Sequence, residues 1–236
     1  MGEASAPRLS AKRFHAEPGV DDWRVLFWGA YAHYACDSLA HAVRIVVAAA
    51  AAAEEVGHEP DFDVRPHGVT IRTSSRRNGA LTGIDAVLAR RIQEAARAEG
   101  GRPDPSTLMV TGIAVAQDRG ADVRPFWAAV LGYDLIDDAD AVDPQRRNPH
   151  VWVHELDPPK PRRGRTHIDV SLPADHARAR LDAALAAGGR LVSSNDEGWT
   201  IASPENHGID IAIWPDDEDL GEDPDEERES GTSGPD

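Results

Sequence analysis

Residues 53–89 constrain the fold more tightly than any other stretch of the chain. An alanine-dense helix runs out at Gly57, a residue type that suits a helix terminus, and the chain then turns at Pro60. From Val69 to Thr73 apolar and polar residues alternate with the period of two expected of a strand. A glycine-containing turn leads through Thr82, an N-cap residue type, into a second helix. Helix, strand and helix in this order predict an α+β unit. The first turn carries His58, Glu59 and Asp61 together.

Upstream, Trp23 to Tyr34 reads as strand-like and aromatic, and Asp37 or Ser38 is the candidate N-cap of the helix that follows. The apolar run Ile45–Ala53 is too short to span a bilayer and is broken by Glu54 and Glu55, so it reads as a buried, closely packed helix. His33 and His41 read as surface or packing residues. A single cysteine, Cys36, excludes an intramolecular disulfide, and no basic-plus-apolar leader precedes the first domain, so a cytoplasmic location is expected. Residues 216–236 hold 11 acids and one arginine, a net −10 of the chain's −16, so the rest is only mildly acidic. Without a basic stripe, nucleic-acid binding is not expected, and neither is a membrane partner. The expected organisation is a disordered leader at 1–18, a first domain at 19–100, a Gly/Pro-rich linker at 101–106, a second domain at 107–215 and an acidic disordered tail at 216–236.

The 53–89 stretch resembles the signature of the pterin-4a-carbinolamine dehydratase family: a helix ending A-E, then H-H-P-[DE], a strand, T-H, a glycine-leucine turn and T-x-x-D. The match runs without a gap from Ala53 to Ala89, and with the early tryptophan the resemblance covers roughly Trp23 to Glu99. It implies an α+β fold, an antiparallel sheet with helices on one face, and a lyase that expels the hydroxyl of a 4a-hydroxytetrahydropterin without a cofactor. Such chemistry needs a general acid at the leaving oxygen and a base near the ring nitrogen, roles that suit imidazole at neutral pH. The resemblance places the first family histidine on His58, the second on Glu59 and the third, after the strand threonine, on Arg76. A carboxylate whose pKa is raised by burial can carry protons, so Glu59 is the expected second catalytic group, whereas a guanidinium cannot replace a histidine. Glu54 and Asp85 match acidic positions, Phe62 stands where an aromatic residue lies by the ligand, and with Asp61 these form the expected substrate-binding set. The residues also admit a plainer reading, in which His58 interacts with the helix C-terminal dipole and Glu59 is solvated. Assembly as a dimer or tetramer is implied by the resemblance.

From Thr107 onward the scheme strand, helix, glycine, strands occurs twice, first in L-M-V-T-G-I-A-V-A with R-P-F-W-A-A-V-L-G-Y, then in R-T-H-I-D-V-S-L with H-A-R-A-R-L-D-A-A-L-A-A-G-G. A duplicated unit of about 50 residues, each with a helix on a curved sheet, would bring two concave faces into one cleft. The segments 126–133, 151–160, 165–170 and 199–211 resemble, in order, the glyoxalase-like branch of the vicinal oxygen chelate superfamily, which implies a paired βαβββ fold. Metal-binding members take ligands from the first and last strands of each half. Those positions fall on Val110, which cannot ligate, on His154 or Glu155, on His167 and on Asp210. Strand alternation does not decide between His154 and Glu155. A metal-free pocket is the expectation, and a divalent metal on His154, His167 and Asp210 is the alternative.

Three functions are therefore carried forward: a 4a-hydroxytetrahydrobiopterin dehydratase with an incomplete catalytic set, a non-catalytic binder of a pterin-like or other ring compound, and a metal-dependent enzyme of the second domain.

Overall fold

The computed structural model describes residues 7–75, 79–137, 140–155, 166–204 and 207–214. A short strand β1 (Arg8–Leu9) and helix α1 (Ala11–His15) open the first half. Strands β2 (Trp23–Leu26), β3 (Gly29–Ala35), β4 (Asp61–Arg65) and β5 (Gly68–Thr73) form an antiparallel sheet in which β5 lies between β3 and β4. Helices α2 (Leu39–Val56) and α3 (Gly83–Ala98) pack together over one face, as the sequence predicts. Alternation selects that face. Ala30, Ala32 and Tyr34 of β3 and Val69 and Ile71 of β5 are buried, whereas Tyr31, His33, Thr70 and Arg72 between them are half-buried. Alanines on both helices, among them Ala42, Ala49, Ala86 and Ala89, are fully or almost fully buried and let the two backbones approach closely. Ser38 is the N-cap of α2, its hydroxyl accepting from the His41 amide at 3.2 Å, and Gly57 ends the helix at φ 73°.

Three expectations change. The leader is structured from residue 8: β1 pairs with β6 (Leu81–Thr82), Ser10 caps α1, and Phe14 is completely buried. A five-residue helix is too short to show a period, which is why its sequence reads as irregular. The aromatic stretch 23–34 is a hairpin, with Phe27 and Trp28 forming its turn. The linker is docked as well, because β7 (Arg102–Pro103) pairs with Tyr34 and Ala35, and a 3-10 turn follows at Pro105–Thr107. Gly101 makes this possible: a Cβ there would lie 2.8 Å from Ile45 and 2.9 Å from the Ala96 carbonyl. The acidic tail at 216–236 and Arg76 lie outside the described residues.

The second half is a duplicated βαβββ unit. Its first copy is β8 (Val110–Gln117), α4 (Arg124–Leu131), β9 (Asp134–Ile136), β10 (Asp140–Val142) and β11 (His150–Glu155). The second is β12 (Thr166–Ser171), α5 (Ala174–Ala186), β13 (Arg190–Asn195), β14 (Gly198–Ala202) and β15 (Gly208–Ala212). Each copy places its first strand parallel to its last, and the copies join through antiparallel pairing of β8 with β12 in one eight-stranded sheet. One face of this sheet carries Val115, Val151, Val153, Ile201 and Ile211 against residues of α4 and α5. Register fixes the opposite face. Gly112 stands opposite His150 and Asp169, Ala114 opposite Trp152 and His167, and Asp210 opposite Asp169. Small residues down the middle strand thus leave room for large polar ones on both sides. At Gly112 a Cβ would lie 2.7 Å from His150 Nε2. No described helix is long and apolar enough to cross a membrane.

Candidate functional site

His58 follows Gly57 at the end of α2, and its imidazole turns inward onto Asp85, with Nε2 3.0 Å from Oδ1. Asp85 is wholly buried in the first turn of α3. It also accepts from Thr73 Oγ1 at 2.7 Å, from the Thr82 amide at 2.8 Å and from the Ser75 hydroxyl. Burial alone would raise this carboxyl, but the hydrogen bonds from His58, Ser75, Thr73 and the Thr82 backbone outweigh it and hold the group below the usual carboxylate value. The result is an ionised, fixed carboxylate that orients one imidazole. The His58 side chain is therefore not spent on the helix terminus, where the Ala53 carbonyl instead receives the Gly57 amide at 2.8 Å.

The other residues of the predicted first site are placed less closely. Glu54 and Glu59 are exposed, and Phe62 is half-buried against the first core. Asp61 forms an ion pair with Arg72, whose Nε donates to the Trp28 carbonyl at 2.7 Å. Asp61 is thereby tied to the β2–β3 turn rather than to His58. That turn meets the second half. The Phe27 amide donates to Ser171 Oγ at 3.3 Å, and the His150 ring lies edge-on to Phe27 and Trp28 at centroid distances of 5.3 and 5.2 Å. Arg24 adds an ion pair to Asp175 at 2.6 Å.

A cavity of about 490 Å³ lies at this junction. Phe27 and Trp28 line it from one side, and Asp140, His150, Trp152, Asp169 and Asp210 from the other. His150 is almost entirely buried, and burial, followed by the charge of Arg146, lowers its pKa to about 4, so the ring is neutral at physiological pH. Burial raises Asp169 to about 6 and Asp140 likewise to about 6, the latter with help from Asp137.

Next to this cavity His167 Nε2 lies 3.0 Å from Asp210 Oδ2 and 3.3 Å from Asp169 Oδ1. The hydrogen bond to Asp210 raises the imidazole against the opposing effect of burial, and the same bond lowers Asp210. His154 stacks on Trp152 at 4.8 Å and meets the His167 ring edge at 5.9 Å, while Glu155 is exposed and accepts from the Gly120 amide. Of the two residues that alternation left open, His154 is the one beside the cluster. The His167, Asp169 and Asp210 ligand atoms all lie within 4.8 Å of one another, and one imidazole with two carboxylates is a donor set that suits a divalent ion.

The structure thus brings His58 to Asp85, and His167 to Asp210 with His154 nearby. It leaves Glu54 and Glu59 at the surface. Sequence reasoning passed over Asp169, His150 and Trp152, although alternation carried the signal: His167 and Asp169, and His150, Trp152 and His154, are spaced by two. Phe27 and Trp28 carried no such signal, since their role depends on a partner far away in sequence.

Comparison with known proteins divides the chain in the same way. Residues 7–95 match the family model described as pterin 4 alpha carbinolamine dehydratase, and residues 112–212 match the one described as glyoxalase-like domain. Two proteins named "Putative pterin-4-alpha-carbinolamine dehydratase" are similar to the first half. The one from Nocardia farcinica is 46% identical over 61 residues, 26% of this chain and 64% of the relative. The one from Roseiflexus castenholzii is 44% identical over 57 residues, 24% of this chain and 61% of the relative. The chain therefore spans less than two thirds of the length of these relatives. A crystal structure of a transcriptional coactivator/pterin dehydratase from Brucella melitensis aligns with 38% of this chain and 99% of its own, at 18% identity and a TM-score of 0.35. Residues 7–95 are thus similar to the pterin carbinolamine dehydratase family, and residues 112–212 to the glyoxalase-like domain.

Proposed function

We propose that the first domain is a lyase that dehydrates a 4a-hydroxytetrahydropterin, the 4a-hydroxytetrahydrobiopterin dehydratase reaction, with His58 as its main proton-transfer group. The observation that supports this most is the His58–Asp85 pair, an imidazole oriented by a buried, ionised carboxylate. In this reading His58 exchanges the proton needed as the C4a–oxygen bond breaks and water leaves. Glu59 follows His58 in the chain but is exposed, without the burial on which its proton-carrying role depends, so in this reading it is a secondary carrier at most. Glu54, Asp61 and Phe62 contact the pterin, and Asp85 acts on it through His58. The test is formation of quinonoid dihydropterin from freshly generated 4a-hydroxytetrahydropterin. The expected result is a slow but measurable rate that His58→Ala lowers at least about tenfold, the low end for general acid–base groups. Equal rates for the two proteins would leave a non-catalytic binder of a ring compound.

A second reading rests on the His167, Asp169 and Asp210 cluster. These residues, with His154 at the edge, would hold a divalent ion, which when bound would polarise a substrate oxygen as a Lewis acid. Metal analysis of protein purified from metal-supplemented medium tests it, and a substoichiometric content removes it.

A further inference from the structure

None of the residues assigned to the lyase reaction lines the cavity between the two domains. Its walls are aromatic, with Phe27 and Trp28 from the first domain and Trp152 and Trp214 from the second. Among the described residues that line it, Asp140, Asp169, Glu197 and Asp210 stand against Arg8, and the Arg146 guanidinium lies against the Trp28 wall. Asp169 and Asp210 are register partners on adjacent strands, which sets two carboxylates side by side, with the His167 imidazole within 3.3 Å of both and His154 close to Asp210.

Among the described residues, several polar groups here have no hydrogen-bond partner. Asp169 is 7% exposed and His150 6% exposed, yet Asp169 Oδ1 and His150 Nδ1 have no hydrogen-bond partner, and neither do Asp210 Oδ1 and the indole nitrogens of Trp28 and Trp214. Although Asp169 Oδ1 lies 3.3 Å from His167 Nε2, that contact lacks hydrogen-bond geometry. Burying an unmatched carboxylate oxygen is costly, so its retention points to a donor supplied by a ligand. The aromatic walls narrow the choice. The Arg146 guanidinium already sits 4.9 Å from the centre of the Trp28 ring, showing that this ring face accepts a planar cation.

Trp28 is also held there at a conformational cost. Its φ of 70° lies in the left-handed region, which a bulky side chain rarely adopts. Arg72 on its carbonyl, and Tyr31 and Ser171 on Phe27, fix the turn in that state. Glycine or asparagine would fit this backbone better, so the indole is retained against local preference.

We propose that the interdomain cavity binds a flat organic cation, an amidine-type or amino-substituted aromatic ring that sets its N–H edge on Asp169 and Asp210 and its face against the tryptophans. A bare metal ion would use the carboxylates but not the four aromatic walls. The site goes beyond the lyase reading and does not rest on it.

The experiment is titration of the full chain with benzamidine in the presence of EDTA, followed by calorimetry and tryptophan fluorescence, with benzoate as the control of equal shape and opposite charge. Benzamidine should bind saturably, and benzoate at least about tenfold more weakly. Asp169→Asn and Trp28→Asn should each weaken benzamidine binding by roughly five- to tenfold. Trp28→Asn should keep or raise the melting temperature, so its loss of binding is separable from misfolding. His58→Ala should leave the affinity unchanged, so this site and the lyase site succeed or fail separately. Absence of saturable binding, benzoate binding as well as benzamidine, or wild-type affinity in both cavity variants would each overturn the proposal.

Discussion

Asp85 carries more of the first domain than any other polar residue described, because one carboxylate serves a helix start, a strand end and an imidazole together. Its depressed pKa fixes the sign of a pH effect. A carboxyl that is lowered on folding contributes stability above its ordinary value of 3.8, and that contribution is lost as pH falls through the lowered value. Asp85→Asn should therefore cost about 1–3 kcal/mol at neutral pH, read from urea unfolding, and should flatten the acid limb of the stability profile. An unchanged acid limb would mean that the carboxylate is not ionised in the fold. Asp85 was legible as an acid of the right motif, but its network was not, since Thr73 and Ser75 reach it from a neighbouring strand end.

At the scale of elements, what could be read in the sequence was whatever is encoded locally. Helices α2 and α3 announce themselves through their caps and alanine density, and β5 through its alternation. The duplicated βαβββ unit was legible because it repeats. The docking of β1, α1 and β7 was not, because each is short and is stabilised by distant partners: β6 for the first, the core around Phe14 for the second, β3 for the third. The same contrast explains the two sites. His58 sits in a contiguous motif, whereas the aromatic cavity brings a hairpin turn together with β10, β11, β12 and β15. Thr82 gives a local test. Its hydroxyl belongs to the capping box of α3 and meets Ser75 Oγ at 2.8 Å; Thr82→Ala removes these contacts while the amide on Asp85 stays, and should lower stability by about 1 kcal/mol, seen as a lower urea midpoint with unchanged slope.

For the whole molecule, the β2–β3 turn is the brace between the domains. Phe27 contacts His150 and Trp214, and its amide meets Ser171. The exposed Arg24–Asp175 pair beside it is worth at most about 1 kcal/mol, so the aromatic contacts dominate the junction. Phe27→Ala should accelerate hydrogen exchange in β11 and β15 while leaving α2 and α3 protected. Equal exchange in β11 would show that the turn does not brace that strand. The pairing of β8 with β12 has a different consequence. Six consecutive residue pairs, Thr166–Val115 to Ser171–Val110, stitch the repeats along the centre of the sheet. Either repeat made by itself would expose that seam as a long, flat, unpaired edge. Its simplest remedy would be a second copy of itself laid antiparallel, a homodimer imitating the fused pair.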